Sequence, residues 1–368
     1  MSVTIGIPFW NARRFLADAV RSVFAQTRDD WELLLVDDGS TDGSIEVVRH
    51  LDDPRVRVLR DGSRRGLCAR LNQIAAAARG AYLARMDADD LMHPERIERQ
   101  LEFLRANPTV DLIDTAIVTV DDELTPLGIR GDRALDARPE AVLRNGLLIH
   151  PTVMGHTEWF RRNPYDPAYV RAEDLELWSR TCRTTRFARL RAPLFFYRES
   201  PAGHVWNYLR SEATARRVLR AYGPLLVGAR RTRLLMMRSR LKSLAYFVGT
   251  RVGLQGRLIR RRNRPLSAAE IREGRRILSA IQFSLMGSIT FLLVVLREPD
   301  DTAIEPGLGR MGFQARPENH ARAWKPMLRF SAPALNESCM NLGNGFLGRS
   351  LDVVAVGLLL LEQFQFGP

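Results

Sequence analysis

Through the first 120 residues, short apolar runs alternate with segments of helical period. Residues 3–7 read as a strand. Over residues 13–26 the apolar side chains Phe15, Leu16, Ala19, Val20, Val23 and Phe24 recur at helical spacing. Residues 32–36 predict a second strand, ending in Asp37-Asp38-Gly39-Ser40-Thr41-Asp42. There Ser40, Thr41 or Asp42 is placed to cap a helix reaching His50. Strands are predicted over 55–59, 81–86 and 110–120. They are separated by an alanine-rich helix over 68–78 and a helix that Pro94 opens and Leu104 closes. This rhythm predicts an α/β fold with a mixed, mostly parallel sheet flanked by helices. Ligands of such sheets bind beyond the carboxyl ends of the strands. Asp37/Asp38 and Asp87/Asp89 stand at two such ends, so they are expected to share a crevice. Two carboxylates one residue apart in Met86-Asp87-Ala88-Asp89-Asp90 suit a hard divalent cation of the kind often shared with a substrate's phosphates.

The pattern changes after residue 130. Residues 130–204 are rich in proline, arginine and aromatics, with a short helix predicted over 174–181 and a strand over 194–197. From 205 the chain is helical and arginine-rich as far as Arg264-Pro265, and a second helix follows Ser267. This second helix runs into residues 277–296, twenty positions without a charge, a length that spans a bilayer. Ser279, Gln282, Ser284, Ser288 and Thr290 lie among them, so both a membrane-embedded helix and a buried one fit. A spanning helix would leave the arginine-rich side, and the body, in the cytoplasm. The implied divisions are a body at 1–204, a basic helical region at 205–276, the apolar run at 277–296, and a tail at 297–368 expected to be poorly ordered.

Charge sharpens this division. The net charge of +13 is concentrated in residues 205–298, which hold 20 basic and 4 acidic residues. The flanking segments are close to neutral. A near-neutral body with one basic, leucine-rich arm points to an anionic membrane surface and away from nucleic acid. Cys68, Cys182 and Cys339 show no metal or disulfide spacing, and the N-terminus lacks the pattern of a signal peptide.

Four blocks, taken in order, resemble the family 2 glycosyltransferases of the GT-A fold over residues 3–199. They are Thr4-Ile5-Gly6-Ile7-Pro8-Phe9-Trp10-Asn11; Leu35-Val36-Asp37-Asp38-Gly39-Ser40; Ala69-Arg70-Leu71-Asn72 with the run from Gly80 to Asp90 and Pro94-Glu95-Arg96; and His150-Pro151-Thr152 with Glu173-Asp174 and Tyr197-Arg198. The resemblance implies an inverting transfer, dependent on Mg²⁺ or Mn²⁺, from a nucleotide-diphosphate sugar to an acceptor hydroxyl; the basic arm, by bringing the site to a membrane, points to a lipid-linked or surface-polysaccharide glycan as acceptor. The resemblance assigns Pro8, Phe9, Asn11, Asp37, Asp38, Asn72 and Asp87 to the donor, and Asp89 with Asp87 to the cation. Asp174 is the base, with Glu173 as the alternative. His150 and Trp178 fall in the acceptor region, although the position of Trp178 one turn after Asp174 also suits a core residue. No QxxRW motif follows the Glu-Asp pair, which favours one sugar per encounter over processive polymerisation. Ile74, Ala81 and Trp10 depart from common family residues, none at a catalytic position. A nucleotidyltransferase would need a glycine-rich loop where Ile7-Pro8-Phe9-Trp10-Asn11 stands, and a non-catalytic binding subunit would be expected to have lost the acids.

Overall fold

A computed structural model describes residues 1–199, 205–251 and 262–283; the expected tail at 297–368 and residues 284–296 of the apolar run lie outside the described residues. Strands β1 (Val3–Phe9), β2 (Trp31–Asp37), β3 (Val56–Arg60) and β4 (Tyr82–Arg85) pair in parallel in the order β3-β2-β1-β4. Helices α1 (Leu16–Phe24), α2 (Ser44–Val48) and α3 (Leu67–Ala77) make the crossovers. β1 and β2 are buried at every position, which is why they read as continuous apolar runs. Successive side chains point to opposite faces. Leu33 and Leu35 therefore join a core with Leu16, Val20 and Val23 of α1, while Leu34 and Val36 join a second core with Leu71 and Ile74 of α3. Gly6 lets α3 approach: a Cβ there would lie 2.4 Å from Ile74 Cγ2.

The second half of the sheet is mixed. It comprises β5 (Leu91–Met92), β6 (Leu112–Val120), β7 (Pro126–Arg130), β8 (Met154–His156) and β9 (Phe187–Arg198), with β6 and β9 parallel and the β4–β8, β6–β8, β6–β7 and β5–β9 pairs antiparallel. Helices α4 (Arg96–Ala106), α5 (Pro139–Asn145), α6 (Thr157–Arg162) and α7 (Glu173–Thr181) lie between these strands. β5 and β8 have two and three residues, too few to show a period in sequence.

The basic arm is a helical hairpin packed on the body. α8 (Val205–Arg251) turns back at Gly228, whose φ of 80° lies in the left-handed region that glycine adopts without a Cβ clash, just after Pro224. Across the hairpin, Glu212 accepts from Ser239 Oγ at 2.8 Å and Lys242 Nζ at 3.2 Å, and the Tyr208 and Tyr246 rings stack at 4.1 Å. Leu219 and Leu235 pack on Leu143 of α5, and Tyr222 Oη donates to Glu176 of α7 at 2.6 Å.

The start of the apolar run is core. In α9 (Ala268–Phe283), Ile277, Leu278 and Ile281 pack against Leu91, Val118, Val120, Leu124, Ile129 and Phe196 of the sheet. No helix among the described residues is long and apolar enough to cross a membrane. Ile281→Ala should therefore destabilise the chain by about 2–4 kcal/mol in urea unfolding, as for other buried aliphatic truncations. Exposed Gln282→Ala should be near neutral. Equal and negligible effects would show that α9 is not part of this core.

Candidate active site

The nucleotide side forms where three parallel strands end together. β1 lies between β2 and β4, with Phe9 opposite Asp37 and Gly6 opposite Arg85. Neighbouring strands are about 4.8 Å apart, so the ends of β2 and β4 stand about 10 Å apart across β1. Asp37 is fully buried, and its Oδ1 accepts from the Ser40 N–H at 2.9 Å. Its Oδ2 lies 3.3 Å from Arg60 Nε but accepts no hydrogen bond among the described residues. A buried acceptor left in this way is costly unless a donor arrives. Asp38 is spent on its own loop: it accepts from the Arg65 and Gly66 N–H groups and from Arg70 Nε at 2.8 Å. Pro8 and Phe9 are buried in β1, whose last carbonyl takes the Asp38 N–H at 2.8 Å. Asn11 has φ 49° and accepts from the Thr41 N–H, which ties the end of β1 to the Asp38–Thr41 turn. Beside it, half-exposed Trp10 carries the Arg64 guanidinium 3.6 Å above its ring, a cation–π pair at the mouth of the crevice.

The acidic side follows β4. Carboxylate oxygens of Asp87, Asp89 and Asp90 all lie within 4.8 Å of one another. Asp90 is buried; Oδ1 accepts from the Arg198 N–H at 2.8 Å, and Oδ2 has no hydrogen-bond partner among the described residues. Arg198 braces this loop further, with Nε donating to the Asp89 carbonyl at 2.8 Å and the guanidinium lying over Phe15. Burial, then the Asp89 and Asp87 charges, hold the Asp90 carboxyl well above the usual range. Asp89 opens to solvent at the rim, yet crowding by protein, with the Asp87 charge, pushes it up to about 6. Crowded carboxylates with an unmatched buried acceptor form an all-oxygen donor set that fits a hard divalent cation.

The candidate base opens α7. Glu173 is buried and Asp174 half-buried, and Asp174 Oδ1 accepts from the Leu175 N–H at 2.8 Å. Burial raises both carboxyls, and the neighbouring Asp174 charge raises Glu173 further. The charges of Arg85 and Asp87 both act on Asp174, which relates the acids of α7 to those of the β4 loop although they are far apart in sequence. Between them sits Arg85, 5% exposed, with Nη2 bonded to Asp87 Oδ1 at 2.5 Å. Its Nε and Nη1 have no hydrogen-bond acceptor among the described residues. Its charge lowers the carboxyls of Glu173 and Asp174 and depresses His150.

Two expected site residues serve other ends. Trp178 is completely buried, packed against His150, Trp159 and Phe187, and cannot stack on a sugar. It belongs to the core because α7 turns its apolar face inward. Asn72 gives one donor and one acceptor to the backbone of Tyr165, at 2.9 and 2.8 Å, and so fixes the chain leading to α7. His150 stands behind the base pair of acids, with Nε2 2.9 Å from Tyr165 Oη. Its pKa is pulled well below the ordinary value by burial, then by Arg85, which keeps it neutral. Arg85, Arg198 and Tyr165 were not marked by sequence reasoning as site residues. The one signal for Arg85 was an arginine closing a buried apolar strand.

A cation site of this kind titrates. Because the folded chain raises Asp89 to about 6, it holds that proton more tightly than the unfolded chain. Metal-free stability therefore falls as pH climbs to that value and is level above it. Cation binding needs the carboxylate and runs the other way. The rise in Tm produced by Mn²⁺ should be present near pH 7 and lost near about pH 5, and absent at both in Asp89→Asn. A pH-independent rise, or one retained by the variant, would contradict this assignment.

Comparison with known proteins agrees with the geometry. Residues 4–166 match the family described as glycosyl transferase family 2. EpsE of Bacillus subtilis, a glycosyltransferase by assignment, is 33% identical over 189 residues, covering 49% of this chain and 66% of its own length. TuaG of the same organism, assigned as a glycosyltransferase of teichuronic acid biosynthesis, is 35% identical over 104 residues, covering 28% of this chain and 41% of its own length. The chain thus spans between two fifths and two thirds of these relatives. Among solved structures, S. aureus TarS 1–349 in complex with UDP superposes with a TM-score of 0.50 at 15% identity, over 78% of this chain and 81% of that one, a likeness of fold. With the match over residues 4–166, this chain carries a glycosyl transferase family 2 domain, and its mixed sheet has the GT-A fold.

Proposed function

We propose that this chain transfers one sugar per encounter from a nucleotide-diphosphate sugar to an acceptor hydroxyl, with inversion at the anomeric carbon and dependence on Mg²⁺ or Mn²⁺. The acceptor in this reading is a glycan or lipid-linked precursor of a surface polysaccharide, met at the inner face of the cell membrane. The observation that carries the reading is the buried Arg85, hydrogen-bonded to Asp87 within the Asp87-Asp89-Asp90 cluster, with its charge acting on Asp174. The teichuronic acid assignment of TuaG supports the polysaccharide part.

Each residue has a task in this scheme. The unmatched Oδ2 of Asp37 accepts an N–H from the base of the nucleotide. Asp38 and Asn11 hold the loop around that base, and Asp89 with Asp87 would hold the cation. A bound divalent cation neutralises charge that develops on the departing diphosphate. Asp174 accepts the proton of the acceptor hydroxyl as its oxygen bonds to the anomeric carbon. The nucleoside diphosphate leaves from the opposite face with the bonding pair. Burial raises Asp174 above the ordinary carboxylate range, which strengthens it as a base at neutral pH. Glu173, more deeply buried beside it, is itself raised by burial and then by the Asp174 charge.

Transfer should vanish in EDTA and return with Mn²⁺. Asp174→Asn should keep the Tm rise given by a matching nucleotide-sugar with Mn²⁺ but lose at least about 10²-fold in transfer rate, the contribution expected of a general base. Full transfer by this variant would overturn the assignment of the base. A panel of UDP-, GDP- and dTDP-sugars in the same thermal assay identifies the donor.

A further inference from the structure

The second arm of the α8 hairpin leaves an apolar stripe uncovered among the described residues. Leu234, Met237, Leu241, Leu244 and Val248 are 50%, 53%, 53%, 59% and 37% exposed. Their intervals of three and four residues put them on one face of the helix. At 1.5 Å per residue the stripe is about 21 Å long. The opposite face is the packed one: Thr232, Leu235 and Ser239 are buried against the first arm and α5. The exposed side also carries Arg230, Arg233 and Arg240, none of which forms an ion pair among the described residues. Arg231 and Lys242, by contrast, are taken up by Glu140 and Glu212.

Charge decides what sits on this stripe. Residues 229–251 contain six arginines, one lysine and no acidic residue. A second copy of the chain laid along the stripe would bring cation against cation beside an otherwise suitable apolar seam, and like charges at such flanks oppose pairing. An anionic lipid surface meets both demands, taking leucine and methionine side chains below its headgroups while guanidinium groups meet the phosphates. We infer that the face bearing Leu234, Met237, Leu241, Leu244 and Val248, with Arg230, Arg233 and Arg240, is the surface by which this enzyme lies on an anionic bilayer. It gives the membrane-side acceptor of the proposed function a physical location, and rests on that reading only for its purpose. The hairpin is rigidly tied to the base-bearing element: Tyr222 bonds Glu176 of α7, and Arg217 donates to the Ala168 carbonyl at 2.9 Å just before it. Seating the stripe therefore fixes the height of Asp174 above the lipid.

The test is sedimentation of the full chain with vesicles, without substrate. The wild type should bind vesicles of equal parts phosphatidylglycerol and phosphatidylcholine, and not phosphatidylcholine alone. The double variant Leu241→Asp/Leu244→Asp should lose about tenfold or more in affinity. Arg230→Gln/Arg233→Gln/Arg240→Gln, which leaves the apolar stripe whole, should weaken binding by a similar factor and flatten its salt dependence. Both variants should keep the donor-induced Tm rise, which reports on the catalytic body separately. Failure of the wild type to bind anionic vesicles overturns the inference. So does full binding by both variants, which would move the contact elsewhere in the chain. A wild-type dimer by light scattering that becomes monomeric in the leucine variant overturns it in favour of a second copy. Any of these outcomes, with the donor response intact, leaves the proposed catalytic function standing.

Discussion

Arg85 is the constraint around which this site is built. Asp87, Asp89 and Asp90 crowd together, with Glu173 and Asp174 within reach of the same charges, and burial strengthens the repulsion among them. One guanidinium placed among them offsets part of that cost. It reaches Asp87 directly and acts through space on the α7 acids, while Tyr165 and His150 close off the side behind them. Its own position is imposed from below: the Arg85 carbonyl accepts from Arg96 Nη2 at 2.8 Å, and Arg96 is itself fully buried and held by Gln100. A buried cation retained beside acids it only partly pairs is costly for stability. Its persistence here fits a site organised for charge that arrives with substrate.

The sheet register brings the end of β2 to the same side as the acids that follow β4. Parallel pairing of β1 with both β2 and β4 aligns their carboxyl ends, so Asp37 and Asp87 face the same side. Antiparallel β8 then returns the chain along β4 and hands it to α6 and the segment leading to α7. Asn72 of α3 clamps that segment through the Tyr165 backbone, so the parallel half of the sheet holds the segment leading to α7 in place. The α8 hairpin grips α7 from outside through Tyr222. Donor loop, base and outer hairpin thus form one continuous packed body.

Much of this was legible in sequence. β1 and β2 announce themselves as apolar runs because both faces of a central parallel strand are buried. Asp37 and Asp87 could be placed at strand ends because the run of apolar residues stops at each. β5 and β8 were not legible, since two or three residues carry no period. Trp178 is ambiguous in sequence for a physical reason: the residue i+4 from Asp174 lies near it along the helix, but only the packing of α7 decides that the indole turns inward. Arg85 escaped notice because an arginine at a strand end is ordinarily a surface residue, and its burial depends on α6 and the Tyr165 segment arriving from far along the chain. The apolar run from residue 277 looked able to enter a membrane, yet its first turns complete the core over β6 and β9.

The most direct measurement is anomalous diffraction from crystals grown with UDP and Mn²⁺. A manganese peak beside Asp89 and Asp87, bridging the diphosphate, with the Asp174 carboxylate and the Arg85 guanidinium facing the same cleft, is the result this account predicts. Manganese bound away from these acids, or Asp174 turned out of the cleft that holds the nucleotide, would contradict it.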